Sequence, residues 1–189
     1  RGLATTGVVG TLKAGTSDRR VGLRADLDAL HIHEKNTFDH RSQNDGKMHA
    51  CGHDGHTTML LGAAKYLAEM KNFDGTIHFI FQPAEENEGG GRVMIEDGLF
   101  DLFPCDEVYG MHNAPGIEVG KFAVREGPFL AAFDIFEITV TGMGTHAAMP
   151  DRGIDPMIPV AQIISGLQAI PSRETSPLNA AVVSVTQVH

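Results

Sequence analysis

The sequence has no long apolar run, no strongly basic stretch and only two cysteines, and each shortage excludes a class of protein. No stretch approaches the ~20 apolar residues that a membrane-spanning helix needs. The formal net charge of −9, without a lysine- or arginine-rich run, argues against nucleic-acid binding, because phosphate contacts need a basic face. Two cysteines, Cys51 and Cys105, leave one disulfide open but make no disulfide framework, which favours a reducing, cytoplasmic location.

Both ends of the chain look cut. The chain starts at Arg1 rather than at a methionine and shows no signal-peptide pattern. It stops at His189, inside a predicted strand. We therefore expect a fragment of a longer chain, although 189 residues are enough for one good core or two small domains.

Strand and helix patterns alternate along the first two-thirds of the chain. Apolar residues at helical spacing (Leu60, Leu61, Ala64 and Leu67) predict a helix after the histidine-rich stretch at 49–56. The nearly continuous apolar run at 75–82 predicts a strand that is buried on both faces. The pattern also predicts strands at 6–15, 20–30 and 107–112, a short helix at 92–100 and loops at 33–47 and 83–91. This alternation predicts an α/β fold with a mainly parallel mixed sheet flanked by helices.

The pattern changes near residue 126. Residues 132–142 alternate between apolar and polar, as a half-exposed antiparallel strand does. A helix follows, with Asp155 suited to its N-cap and Pro156 to its first position. A further strand is predicted at 180–188. We therefore expect a first domain over 1–125 and a smaller α+β domain over 126–189, each incomplete.

Residues 49–56, HACGHDGH, hold three histidines, one cysteine and one aspartate. Imidazole and thiolate are common ligands of zinc and similar metals, and Cys51 and His53, one residue apart, can converge on one ion or on two adjacent ions. The stretch precedes a predicted helix, whose N-terminus is expected to lower the pKa of the thiol and favour the thiolate. A metal site, a thiol nucleophile with a histidine base and chance composition are all open at this point.

Other polar candidates lie at the ends of predicted strands. Glu85 and Glu86 follow the buried strand, and one can ligate a metal while its neighbour acts as general base, although a solvated acidic turn is the alternative. His112 ends another strand, where α/β sheets bind ligands. Asp26 can accept a hydrogen bond from a ligating histidine. His146 lies in a glycine-rich turn of the second domain.

Five motifs occur in an order that resembles the amidohydrolase branch of the aminoacylase/carboxypeptidase family of dinuclear metallohydrolases. The cysteine-containing HACGHD, followed by FQPAEE, is specific to this branch, and the resemblance covers nearly the whole chain. The motifs are RADLDAL, GKMHACGHDGHTTMLLGAAKYLAE, GTIHFIFQPAEENEGGGRVMIEDGLF, YGMHNAPG and GTHAAMPDRGIDP.

The resemblance implies a role for each candidate. Glu85 is the implied general base and acid. His146, on a smaller lid domain, is implied to bind the oxyanion or the substrate, in its own site or in that of a partner subunit. Asp54 becomes an expected hydrogen-bonding partner beside Asp26. The implied metal ligands, with the thiolate shared between two ions, are Cys51, His53, Glu86 and His112.

The resemblance also implies an activity. It is metal-dependent hydrolysis of the amide bond of N-acyl amino acids such as hippurate, with two divalent ions (zinc or manganese, with cobalt and nickel as further options) and dimerisation through the lid domain. The family carries a further histidine ligand near its C-terminal end, which this chain lacks; a protein ending at residue 189 would bind its second ion weakly and turn over little. Two alternatives stay open: a metal-independent thiol hydrolase and an inactive module that only binds small molecules.

Overall fold

The computed structural model describes residues 2–86 and 89–189. The middle of the loop expected at 83–91, Asn87 and Glu88, lies outside the described residues, as does Arg1. The chain divides into two compact units, Arg1–Phe122 and Ala123–His189. Each unit is described by itself.

The first unit is built on a four-stranded mixed sheet. Its strands are β1 (Val8–Ala14), β2 (Arg20–Asp26), β3 (Gly75–Gln82) and β4 (Glu107–Gly110). They lie in the order β1-β3-β2-β4, with β2 parallel to both β3 and β4 and with β1 antiparallel to β3. This arrangement confirms the expected α/β fold with a mainly parallel mixed sheet.

One face of the sheet is covered by helix α1, His53–Met70. Its Leu60 packs in a buried cluster with Ala25 of β2 and Phe79 of β3, and Ala64 and Leu67 continue this apolar stripe. The sequence pattern also counted Leu61 among the apolar residues at helical spacing. Successive helical residues are rotated by about 100°, however, and Leu61 is exposed.

Two short helices, α2 (Gly90–Glu96) and α3 (Leu99–Leu102), pack against β3 through a second buried cluster. That cluster joins Ile80 of β3 to Met94 and Leu99. Because consecutive strand residues point to opposite faces, Phe79 and Ile80 belong to different layers, and β3 is buried on both sides as predicted. The single helix expected at 92–100 is interrupted at Gly98, whose φ of 89° is left-handed.

The second unit contains one long helix, α4, Met157–Leu167. The helix begins at Met157, so Pro156 is its N-cap rather than its first residue, and Asp155 lies one residue earlier than expected for the cap; its Oδ1 accepts a hydrogen bond from the main-chain N–H of Met157 at 2.8 Å. Within the described second unit, no strand is assigned at 132–142 or 180–188. An alternating pattern marks an amphipathic segment, but a strand also requires a hydrogen-bonded neighbour. No described helix combines the length and apolar character that crossing a bilayer requires.

Candidate metal centre

The candidate residues of the first unit meet at one edge of the sheet. Strands β2, β3 and β4 run parallel, so their carboxyl ends lie at the same edge. Three segments that are distant in sequence reach this edge: the start of α1, the loop after β3 and the loop after β4. They supply Cys51, His53, Glu85, Glu86 and His112.

Three overlapping groups of potential ligands share His53. The first joins it to Cys51 and His112, the second to Glu85 and Glu86, and the third to Asp26 and His56, with the ligand atoms of each group within 4.8 Å of one another. The Cys51 Sγ atom lies 3.4 Å from His112 Nε2. The first two groups, which have His53 in common, suit either one ion or two adjacent ions, whereas in the third group Asp26 and His56 are hydrogen-bonded to each other.

His53 is fully buried, and Asp28 orients its ring. The Nδ1 atom lies 3.0 Å from the main-chain oxygen of Asp28 and 3.3 Å from its Oδ1, so this nitrogen carries the proton and donates. The Nε2 atom is then unprotonated, and it lies 3.8 Å from Glu86 Oε1 and 3.9 Å from Glu85 Oε2. An imidazole lone pair therefore faces two carboxylates.

Three buried side-chain atoms at this edge have no hydrogen-bond partner among the described residues. They are Asp28 Oδ1, His53 Nε2 and Glu86 Oε1. An unsatisfied buried polar group costs about 1–3 kcal/mol, and native proteins contain few of them. A divalent cation would satisfy the two acceptors that face each other, and thiolate, imidazole and carboxylate are all ligands of divalent transition metals. The residues present therefore fit a metal centre.

The Cys51 thiol is held in its neutral form when no cation is bound. Burial raises its pKa to about 11, and Glu86, Glu85 and Asp26 act in the same direction. The expectation that the helix N-terminus lowers this pKa is therefore wrong, because burial and three nearby carboxylates outweigh the helix dipole. A neutral thiol is a weak nucleophile, so the same geometry disfavours a metal-independent thiol hydrolase.

Asp26 is buried at the end of β2, but its main partners differ from those expected. Its Oδ1 accepts from His56 Nδ1 at 2.6 Å and its Oδ2 from Arg24 at 2.7 Å, whereas His53 Nε2 is 3.7 Å away. Burial alone would raise the pKa of Asp26, but the hydrogen bond from His56 and the charge of Arg24 outweigh it and the pKa is lowered. Asp26 therefore stays ionised and binds His56 rather than a candidate ligand.

The residue that orients His53 is Asp28, which the sequence analysis missed. Asp28 accepts from His53 through its main-chain oxygen, and its Oδ2 accepts a hydrogen bond from the main-chain N–H of Glu86 at 3.1 Å, so one residue positions two candidate ligands. The two aspartates of RADLDAL, two residues apart at a strand end, carried this signal. Asp54 lies exposed on α1, and among the described residues its carboxylate bonds to none of the candidate ligands.

His146 belongs to the second unit, where it is exposed. Its Nδ1 accepts a hydrogen bond from the main-chain N–H of Ala148 at 3.1 Å, within the turn that precedes α4. This contact assigns the proton to Nε2, which is left free to donate.

Gly52 brings α1 close to the loop after β4. It has a left-handed φ of 86°, and a Cβ there would lie 2.5 Å from the Asn113 side-chain oxygen. Gly52→Ala is therefore expected to cost about 1–2 kcal/mol in backbone strain and to lower metal affinity by displacing this loop.

Gly55 supplies the matched control, because a Cβ there would meet no atom within 4 Å. We expect Gly55→Ala to keep metal affinity and to raise stability by about 0.5–1 kcal/mol. Urea unfolding and zinc titration of both variants test this pair. Equal zinc affinity in the two variants would contradict the expected role of Gly52.

Comparison with known proteins shows what the chain is similar to. The chain is 49% identical over 183 residues to the hippurate hydrolase of Campylobacter jejuni, covering 97% of this chain and 48% of that protein. It is 46% identical over 184 residues to the N-acyl-L-amino acid amidohydrolase of Geobacillus stearothermophilus, covering 96% and 49%. The chain thus spans about half the length of the curated relatives it matches.

A solved structure and a family model complete the comparison. A dinuclear metal-binding peptidase of Bacillus subtilis superposes with a TM-score of 0.63 at 37% identity, covering 87% of this chain and 43% of that one. The model of peptidase family M20/M25/M40 matches residues 22–186, which is most of the chain. This chain belongs to peptidase family M20/M25/M40.

Proposed function

We propose that this chain carries the metal-binding part of an amidohydrolase that cleaves the amide bond of N-acyl amino acids. The observation that carries the proposal is the buried pair His53 Nε2 and Glu86 Oε1, which face each other without a hydrogen-bond partner in the described ranges. Similar proteins are named hippurate hydrolase, N-acyl-L-amino acid amidohydrolase and, in Bacillus subtilis, N-acetylcysteine deacetylase, which supports this substrate class.

In this proposal Cys51, His53, Glu86 and His112 hold two divalent ions. Zinc and manganese suit the donor set, as do cobalt and nickel. When bound, such ions act as Lewis acids and make water a stronger acid. The protein's own part is to keep His53 unprotonated at Nε2 through Asp28 and to hold the two glutamates in the same cluster.

The two glutamates differ in exposure, and this difference suggests their roles. The side chain of Glu85 is 39% exposed and that of Glu86 is 20% exposed. A general base must reach water and substrate, whereas a ligand need only reach the ion. We therefore assign Glu85 to take a proton from the attacking water and to return it to the leaving amine, and Glu86 to ligation.

The second domain, 126–189, is proposed as a lid through which two copies of the protein pair. Exposed apolar side chains at Phe133, Ile135, Phe136 and Ile138 support such an interface. His146 would donate from Nε2 to the oxygen of the substrate carbonyl as negative charge develops there. A reducing compartment such as the cytoplasm would keep Cys51 available as a ligand, and both cysteines are free.

Metal removal from the intact protein tests the proposed function. Dialysis against a chelator is expected to abolish release of glycine from hippurate, and added Zn²⁺ or Mn²⁺ to restore it, because the protein groups alone do not activate water enough. A thiol hydrolase would instead keep its activity without metal and lose it on alkylation. Full turnover at a metal content far below one ion per chain would refute the proposal.

A further inference from the structure

A buried histidine that the proposed reaction does not use links α1 to the loop after β4. We propose that His56 is a positioning residue for His112, acting through the main chain of Asn113. The inference rests on the proposed metal centre, because it concerns how one of its ligands is presented. It gives a role to a buried polar side chain that helix formation alone does not explain.

The first link joins His56 to Asp26. Both side chains are buried, and His56 Nδ1 lies 2.6 Å from Asp26 Oδ1. Arg24 donates to the other carboxylate oxygen at 2.7 Å, so Asp26 is ionised and acts only as an acceptor. His56 Nδ1 must therefore carry a proton.

The second link joins His56 to the loop after β4. The main-chain N–H of Asn113 points at His56 Nε2 over 2.9 Å, which requires this nitrogen to be unprotonated. The side-chain oxygen of Asn113 lies 2.8 Å from the same nitrogen, and because that oxygen can only accept, we assign the amide its other orientation, in which a half-turn places the NH₂ group there as a donor. His56 is thus a neutral ring that donates to one element and accepts from another.

The third link fixes the ring of His112. The main-chain oxygen of Asn113 lies 2.7 Å from His112 Nδ1, so Nδ1 is the protonated nitrogen. The unprotonated Nε2 is then presented 3.4 Å from Cys51 Sγ. The main-chain N–H of Asn113 is therefore held by His56, and the main-chain oxygen of Asn113 sets the tautomer of His112.

The surroundings explain why this anchor matters. Residues 107–122 are exposed throughout, so burial of side chains does little to hold the loop that carries His112. A loop with little buried surface is held mainly by its hydrogen bonds. Removing the acceptor at His56 frees the Asn113 N–H and, with it, the orientation of the His112 ring.

Two substitutions of His56 separate the links. In His56→Asn the amide overlaps the Nδ1 position and keeps the bond to Asp26, but it loses the acceptor for Asn113. In His56→Gln the amide reaches the Nε2 position and can restore that acceptor. Because partners of ligands typically contribute 10- to 100-fold to metal affinity, we expect zinc affinity to fall about 10- to 100-fold in His56→Asn and to stay within about threefold of the unmodified protein in His56→Gln.

The measurements are zinc competition against a chromophoric chelator and ¹⁵N NMR of the histidine rings, both on the intact protein. In the unmodified metal-free protein, the ring shifts must report protonated Nδ1 and unprotonated Nε2 for both His56 and His112. The opposite tautomer of either ring overturns the proposal, and this result does not depend on any variant folding. In folded His56→Asn, wild-type zinc affinity overturns it as well, as does an equal loss in both His56 variants.

His112→Ala separates failure of this inference from failure of the proposed metal centre. If His112→Ala binds zinc normally, the metal-centre assignment is wrong and the inference falls with it. If His112→Ala loses zinc while folded His56→Asn retains it, only the positioning role of His56 is wrong. Loss in both variants, with rescue in His56→Gln, is the result expected.

Discussion

Cys51→Ser is expected to lower the affinity of the intact protein for divalent metal by at least about 100-fold, more than the loss of a residue that only supports a ligand. The thiol of Cys51 lies 3.4 Å from His112 Nε2, in a group that also contains His53. A cation would offset the negative charge of the nearby carboxylates and allow the thiol to ionise. A serine hydroxyl, in contrast, does not ionise at neutral pH. Losing the sulfur therefore removes an anionic ligand.

Cys105 provides a matched control for this substitution. It is a free, half-buried cysteine like Cys51, but its thiol donates to the main-chain oxygen of Phe103, a contact that serine can also make. Cys105→Ser is expected to keep metal affinity unchanged. Metal content by elemental analysis and affinity by chelator competition distinguish the two variants.

The metal measurement also separates the two catalytic hypotheses. A thiol hydrolase loses activity in Cys51→Ser as well, so activity alone decides nothing. If Cys51→Ser binds zinc as tightly as Cys105→Ser does, Cys51 is not a ligand and the proposed centre must be built from other residues. Simultaneous loss of metal and activity is the outcome that the metal centre predicts.

Glu85→Gln is expected to lower kcat for N-acyl amino acid hydrolysis by about 10²- to 10⁴-fold while the protein retains its metal. Glutamine keeps the size of the side chain and cannot accept the proton of the attacking water. Because Glu85 is the more exposed of the two adjacent glutamates, its neutralisation should leave the buried ligand atoms in place. KM should change little, since the substitution removes a group needed in the transition state.

Two further variants make this result interpretable. Glu69→Gln on α1 removes an exposed carboxylate that, in the described part of the chain, pairs with Lys65 at 3.9 Å, and it should leave kcat unchanged. Glu86→Gln should instead lower metal affinity, because Glu86 is the proposed ligand. If Glu85→Gln lost the metal and Glu86→Gln kept it, the two roles would have to be exchanged.

Local patterns in the sequence were enough to predict the elements whose apolar residues repeat with the period of a strand or a helix. The apolar run at 75–82 coincides with β3, and the helix expected after the histidine-rich stretch is α1. These predictions hold because burial of an apolar stripe depends on spacing along the chain. Leu61 shows the limit of such predictions, because it is an apolar residue beside the buried stripe and is nevertheless exposed in the fold.

Strand pairing and the details of the site depended on residues that are far apart in sequence. β3 lies between β1 and β2 although a short turn joins those two strands, and residues 132–142 alternate without forming a strand in the described second unit. The opposite direction of the Cys51 pKa shift has the same origin, since burial in the fold and carboxylates from two other segments both raise the pKa of the thiol.

The sequence by itself determined the residue types of the proposed metal centre, their order along the chain and the family to which the chain belongs. Only the tertiary structure decided which aspartate contacts which histidine: the main-chain oxygen of Asp28 accepts from His53, and the carboxylate of Asp26 accepts from His56. The physical reason is that tautomers and pKa values depend on contacts of a few ångströms, which spacing along a chain does not encode.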